Sequence, residues 1–264
     1  MRFAVLTIFP DMMAAFCGHG VIRRAIEQDK ISVDCIDIRA FAKGRHRVTD
    51  DRPYGGGCGM VMKPEPLAAA IRAAKGRTRT PNAPTVLLTP QGRPFTQRLA
   101  QELAAGEGLT LVCGRYEGVD ERICGRFIDY ELSIGDYVLT GGELAAMVVV
   151  DAVARLIPGV LGGAESADKD SFSGDLLEHG HFTRPPEFEG EPVPAVLLSG
   201  NHEEIRRWRL EASLVRTVLK RPDLLAERDC TAEEIAILKR WQRTVGKIID
   251  AQSLRGAGAP PGGQ

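Results

Sequence analysis

Three segments of the chain join glycine to polar residues directly behind apolar runs. They are Thr89-Pro90-Gln91-Gly92, Gly114-Arg115-Tyr116-Glu117-Gly118 and Ile134-Gly135-Asp136-Tyr137-Val138-Leu139-Thr140-Gly141-Gly142-Glu143. Glycine carries no Cβ, so a ligand can approach the main chain closely at such places. None of the three fits the Gly-x-Gly-x-x-Gly pattern of dinucleotide sites, and no phosphate-loop lysine motif occurs. Nicotinamide and nucleoside-triphosphate chemistry are therefore disfavoured. Any one segment alone reads as a plain turn; three behind the strands of one sheet point to a shared ligand. Thr140 and Glu143 also have the spacing of a capping box, which predicts a helix starting there.

Other residues could carry chemistry but read more simply by type. His179 and His181 stand two apart and could seed a metal site. With no cysteine nearby they read as loop histidines making hydrogen bonds, and no metal ligands are assigned. The six cysteines are scattered, without a Cys-x-x-Cys pair, so reduced buried thiols are expected. Glu165, Asp168 and Asp170 lie in a glycine-rich polar stretch and read as solvated loop acids. Arg155 ends an apolar helical run, where a cation offsets the helix dipole.

These groups need a frame to hold them. Apolar, β-branched runs predict strands near 2–9, 31–38, 85–89, 109–113 and 130–134. Helical spacing predicts helices near 12–28, 64–75, 95–105, 119–127 and 143–156. Apolar strands alternating with helices make an α/β fold, a parallel sheet covered on both faces. Ligands of such sheets bind beyond the carboxyl ends of the strands, which is where the three glycine segments fall.

A first domain is expected over 1–160, then a flexible linker over 161–175. A helical domain follows over 176–250, with Leu210, Leu214 and Val218 and then Ile235, Leu238, Trp241 and Val245 at helical spacing. Arg221-Pro222 breaks its first helix. Trp208 and Trp241 are expected in its core, and the Gly/Pro-rich tail 251–264 is expected to be disordered.

The totals are those of an ordinary soluble protein: 264 residues, 44% hydrophobic, 26% charged, formal net charge −1. The N-terminal apolar run stops at Pro10-Asp11, too short for a signal segment or a membrane span. The expectation is a cytoplasmic protein with no membrane partner. Charge is nonetheless concentrated locally. Arg72, Lys75, Arg77, Arg79, Arg93 and Arg98 share a stretch without acids, and Arg206, Arg207, Arg209, Arg216, Lys220 and Arg221 face Glu211 alone. Such patches either neutralise phosphates or form solvated helix faces.

Several longer motifs recur in one order. They are Thr7-Ile8-Phe9-Pro10, Asp51-Arg52-Pro53-Tyr54-Gly55-Gly56-Gly57, Thr89-Pro90-Gln91-Gly92-Arg93 and the run Cys113 to Arg122. Ser133 to Glu143, Ile157-Pro158-Gly159-Val160-Leu161-Gly162, Asp170-Ser171-Phe172 and His181-Phe182-Thr183-Arg184-Pro185 complete the set. On these motifs the chain resembles the bacterial TrmD family of tRNA methyltransferases, of the SPOUT class, from Met1 to about Ile249. The resemblance implies a SPOUT-type parallel sheet with a deep trefoil knot, against the general rule that chains are unknotted, plus a small α-helical C-terminal domain. It implies an obligate homodimer whose active site draws on both subunits. Its reaction would move a methyl group from S-adenosyl-L-methionine to N1 of guanine-37 of tRNA, the guanine immediately 3′ of the anticodon.

By the same resemblance, Leu88, Thr89, Pro90, Gly114, Tyr116, Ser133, Ile134, Gly135, Asp136, Tyr137, Val138, Leu139, Gly141 and Gly142 would hold the cofactor. Main-chain groups at Ile134, Tyr137 and Leu139 would read its adenine. Asp170 would be the general base and Arg155 would stabilise O6. Glu117 would position the guanine or balance the cofactor's sulfur; by residue type it is equally a partner for Arg115 or Arg122. His181, Arg184, Arg206, Arg207 and Arg209 would contact the RNA. Magnesium dependence is compatible with the resemblance, but no ligand set for it is visible. Glu178-His179-Gly180-His181-Phe182 departs from the family's commoner Cys-Pro-His-Tyr, and the tail beyond Ala251 has no counterpart. Two alternatives stay open: another SPOUT RNA methyltransferase, acting elsewhere on RNA or on ribose, and a catalytically silent RNA-binding protein.

Overall fold

The computed structural model of the chain describes residues 1–78, 83–162, 170–172, 176–226 and 228–257. Two compact units are present, Met1–Ala167 and Asp168–Gln264. Most of the expected linker and the end of the tail lie outside the described residues, as does Arg79.

The first unit opens with β1 (Arg2–Thr7), α1 (Pro10–Cys17), α2 (Gly20–Glu27) and β2 (Ser32–Asp37), followed by a 3-10 turn at Ile38–Phe41. Next come a two-stranded ribbon of β3 (Asp50–Asp51) and β4 (Val61–Met62), then α3 (Pro64–Thr78) and β5 (Thr85–Pro94). The unit continues with α4 (Gln97–Ala104), β6 (Gly108–Cys113), α5 (Glu121–Phe127), β7 (Tyr130–Ser133) and α6 (Glu143–Ala154). Strands β2-β1-β6-β5-β7 make one sheet in that order, and every pairing in it is parallel.

Strand residues alternate between two cores. Phe3, Val5, Val86, Leu88, Leu109 and Leu111 pack with Met13, Ile22, Leu99 and the buried side of α6. Ala4, Leu6, Leu87 and Val112 pack on the other face with Leu67, Ile71 and Ile123. Each large apolar side chain buried this way contributes about 1.5–3 kcal/mol. The central strands β1 and β6 are therefore nearly all apolar, as a sheet covered on both faces requires.

The expected helix over 12–28 is two. The Gly18 N–H donates to the carbonyls of Ala14 and Ala15 and closes α1; His19 is extended (φ −134°, ψ 159°) and the chain restarts as α2. All six cysteines are free, but only Cys113 is buried, so the expectation of buried thiols holds at one position.

The second unit holds a short hairpin of β8 (Glu187–Phe188) and β9 (Glu191–Pro192), then α7 (Ala195–Leu198), α8 (His202–Lys220), α9 (Pro222–Ala226) and α10 (Ala232–Ala257). Asn201 caps α8 by accepting from the Glu204 N–H, and Pro222 follows its end, as the sequence predicts. Leu214 and Ile237 are buried. Trp208 and Trp241 are only half-buried, a correction to their expected core placement. No described helix is long and apolar enough to cross a membrane.

Candidate functional site

The carboxyl ends of β5, β6 and β7 open into one cleft of about 370 Å³, within the size range of small-molecule sites. Every residue expected to hold a cofactor lines it except Asp136. The reason is local: the Tyr137 N–H donates to the Gly135 carbonyl at 2.9 Å, which leaves Asp136 exposed at the apex of a three-residue turn.

Each loop is shaped by main-chain contacts. The sequence predicts that β5 ends at Thr89; instead Leu88 and Arg93 both pair with Leu132, and of the four residues between them Thr89, Pro90 and Gln91 line the cleft. A Cβ on Gly92 would collide with the Leu132 backbone, so only glycine lets the strand resume. The other two loops are laced together, the Gly142 N–H donating to the Gly114 carbonyl at 2.9 Å. A Cβ on Gly142 would lie 2.7 Å from the Cys113 Cα, which excludes any side chain there. Ser133 Oγ donates to the Gly135 carbonyl at 3.1 Å, and Tyr137 Oη donates to the Ile134 carbonyl at 3.3 Å.

Helix α6 begins two residues later than a Thr140 cap would start it, at Glu143, and not by that device. Its N-cap is Gly142, without a side-chain cap. The Glu143 side chain turns inward instead, 1% exposed, and receives Arg115 Nε at 2.9 Å on one oxygen. Its other oxygen accepts from Thr7 Oγ1 at 2.7 Å. Thr7 Oγ1 in turn accepts from the Phe9 N–H, and the Arg115 guanidinium lies 4.4 Å from the centre of the Phe9 ring. The end of β1, the loop after β6 and the start of α6 are thus tied at one buried ion pair. Sequence reasoning missed Thr7, Arg115 and Glu143 as a unit. The available signal was a carboxylate at the head of a helix otherwise almost wholly apolar.

Arg115 is committed to Glu143, and Arg122 pairs with Asp120 at 2.7 Å. The Arg122 guanidinium holds the Asp120 carboxyl below its usual range. Glu117 therefore has neither of the arginine partners considered for it; it is exposed in the cleft wall, against Gly59. Glu121 and Glu131 also line the cleft. With Arg115 neutralised, the wall carries a surplus of carboxylates, which favours a cationic ligand over an anionic one. Cys124 stands in the same wall; burial, with Glu121 and Glu131 nearby, pushes its thiol up to about 11. Burial likewise raises Cys113, next to Gly114. Both are protonated thiols near neutrality, so the described cleft offers no thiolate nucleophile.

The remaining candidates are not among the residues lining the cleft. Arg155 caps the far end of α6, a helix length of about 18 Å from Glu143 at 1.5 Å per residue. In the second unit, Asp170 is half-buried, and Ser171 Oγ accepts from the Glu178 N–H at 3.0 Å. The segment is thus folded onto its own unit at that point rather than simply solvated. On α8, Arg206 is clasped by Glu203 and Glu233, both at 2.9 Å. Arg207, Arg209 and Arg216 are exposed on that helix, and His181 and Arg184 on the preceding segment. The first basic stretch is partly absorbed by structure: Arg72 and Arg93 stack on Phe127 and Tyr130, and Arg98 pairs with Glu102.

The matching family model, described as tRNA (Guanine-1)-methyltransferase TrmD, covers residues 1–227. A tRNA (guanine-N(1)-)-methyltransferase of Desulfatibacillum aliphaticivorans is 58% identical over 98% of this chain and 98% of its own. Proteins of the same name are similar from Geotalea uraniireducens (54%, covering 93% of this chain and 99% of theirs) and Methylococcus capsulatus (56%, 92% and 96%). With a cleft at three parallel strand ends and likeness along nearly its whole length, the chain belongs to the TrmD family of tRNA (guanine-1)-methyltransferases and is an enzyme of that kind.

Proposed function

We propose that the protein transfers a methyl group from S-adenosyl-L-methionine to N1 of guanine-37 in tRNA. The observation that carries this reading is the carboxylate-rich cleft where β5, β6 and β7 end. Its glycines admit a ligand against the main chain, and Glu117, Glu121 and Glu131 suit a sulfonium rather than a phosphate. Residues at all three loops would hold the cofactor, and main-chain groups at Ile134, Tyr137 and Leu139 would read the adenine. When bound, S-adenosylmethionine supplies a methyl group on positively charged sulfur.

The acceptor sets the demand on the protein. Guanine N1 carries a proton, and taking it away moves negative charge onto O6. Asp170 takes that proton, Arg155 offsets the charge at O6, and Glu117 orients the guanine or balances the sulfonium. N1, once deprotonated, would be the nucleophile toward the methyl group that the cofactor supplies. The target base leaves its stack to enter the cleft, while Arg207, Arg209, His181 and Arg184, with Arg206 beside them, hold the anticodon arm.

Arg155 cannot serve the cleft of its own chain across the length of α6. A homodimer resolves this. Leu144, Val148, Asp151 and Arg155 form one exposed stripe along the helix, and Leu144 and Val148 are 50% and 46% exposed. Two copies of α6 packed antiparallel about a two-fold axis cover those apolar residues and bring the partner's Arg155 toward the cleft. The SPOUT knot and a tRNA-binding role for the helical unit belong to this reading.

The role of Asp170 is tested with Asp170→Asn. Single-turnover methylation falls at least about a hundredfold, while calorimetric affinity for S-adenosylmethionine stays within a few-fold. A severe loss of cofactor affinity would make Asp170 a structural residue and overturn its assignment as the base.

A further inference from the structure

We propose that Glu178, His179 and His181 form a binding site for a divalent transition metal of the zinc class. Their ligand atoms lie within 4.8 Å of one another, the sole grouping of this kind among the described residues. Donors around a tetrahedral zinc stand about 3.3 Å apart, so small rotations of these half-buried and exposed side chains close the set. One edge is already in place: His181 Nε2 is 2.9 Å from Glu178 Oε1.

The surroundings favour a metal over a chance cluster. His179 Nδ1 is 3.1 Å from the Gly180 carbonyl. As donor in that bond it takes the tautomer that leaves Nε2 as a lone-pair ligand, the usual outer arrangement of metal-binding histidine. The segment is anchored where the cluster begins: the Leu177 N–H donates to Thr217 Oγ1 at 2.9 Å and the Glu178 N–H donates to Ser171 Oγ. Thr217 is itself buried in α8, so the ligands hang from a fixed point and little ordering accompanies binding. Gly180 keeps the two histidines close, its α-carbon facing Arg216 Nη2. That guanidinium opposes a second cation, so the Glu178 carboxylate is essential to the balance.

Two imidazoles and one carboxylate select zinc, cobalt or nickel over magnesium, which prefers oxygen ligands and retains its water. Three protein ligands also leave a fourth position open. All three ligands belong to the second unit, and none is among the residues lining the cleft. The Trp208 ring is 6.1 Å from the His179 ring, which provides a reporter.

The experiment titrates the metal-free full-length protein with Co(II), reading visible absorption and tryptophan emission, and then displaces the cobalt with Zn(II). One saturable equivalent per chain is expected, with tetrahedral cobalt bands and altered Trp208 emission. Glu178→Gln and His179→Asn each weaken binding more than about tenfold, while Cys58→Ser leaves it unchanged. Absence of a saturable equivalent, or binding that survives both ligand substitutions in folded protein, overturns the site.

Discussion

At the residue scale the molecule turns on charges whose partners differ from those suggested by their neighbours in sequence. Glu143 is buried with Arg115 and Thr7, and removing one member leaves a guanidinium, 16% exposed, without its counter-charge. Glu143→Ala should therefore cost about 3–5 kcal/mol of stability, measured by chemical denaturation. A loss below 1 kcal/mol would mean that the pair does not hold these loops. The Thr-x-x-Glu spacing came within two residues of the start of α6 and misread what Glu143 does there. Its partners come from β1 and the loop after β6, 136 and 28 residues away in the chain, and only tertiary structure brings them together. The bare charge count at Arg206 was misleading partly for the same reason, since Glu233 arrives from α10, and partly because it stopped short of Glu203, three residues before.

At the element scale, the strand ends make the cleft, and their spacing was legible because buried parallel strands leave nearly continuous apolar runs. Leu88, Cys113 and Ser133 end their runs where a ligand site was expected. The detour between Leu88 and Arg93 was not legible: it depends on both residues pairing with Leu132, a non-local register. The split between α1 and α2 was hidden because apolar spacing continues through Gly18 and His19. Gly142→Ala tests the lacing of the loops. A methyl group there collides with the Cys113 backbone, so affinity for S-adenosylmethionine should fall more than tenfold with little change in helix content. Unchanged affinity by calorimetry would show that the Gly114–Gly142 contact does not shape the cleft.

At the scale of the whole molecule, one chain contains the cleft, and Arg155 stands at the opposite end of α6 from Gly142 in the cleft wall. No pattern within a single sequence could reveal the proposed sharing of a site between copies; the family likeness supplied that expectation, and the exposed Leu144 and Val148 support it. Val148→Asp puts a charge into the proposed contact. Sedimentation should show the dimer dissociating toward monomers, with methylation lost in parallel. A variant that remains dimeric and active would remove α6 from the interface.

The most direct measurement supplies S-adenosylmethionine labelled in its methyl group together with tRNA transcripts bearing guanine or adenine at position 37, and maps the labelled nucleoside. Label on N1 of guanine-37, and none in the adenine transcript, is the expected result. Equal incorporation into both transcripts, or label on ribose, would contradict base-directed transfer at this cleft.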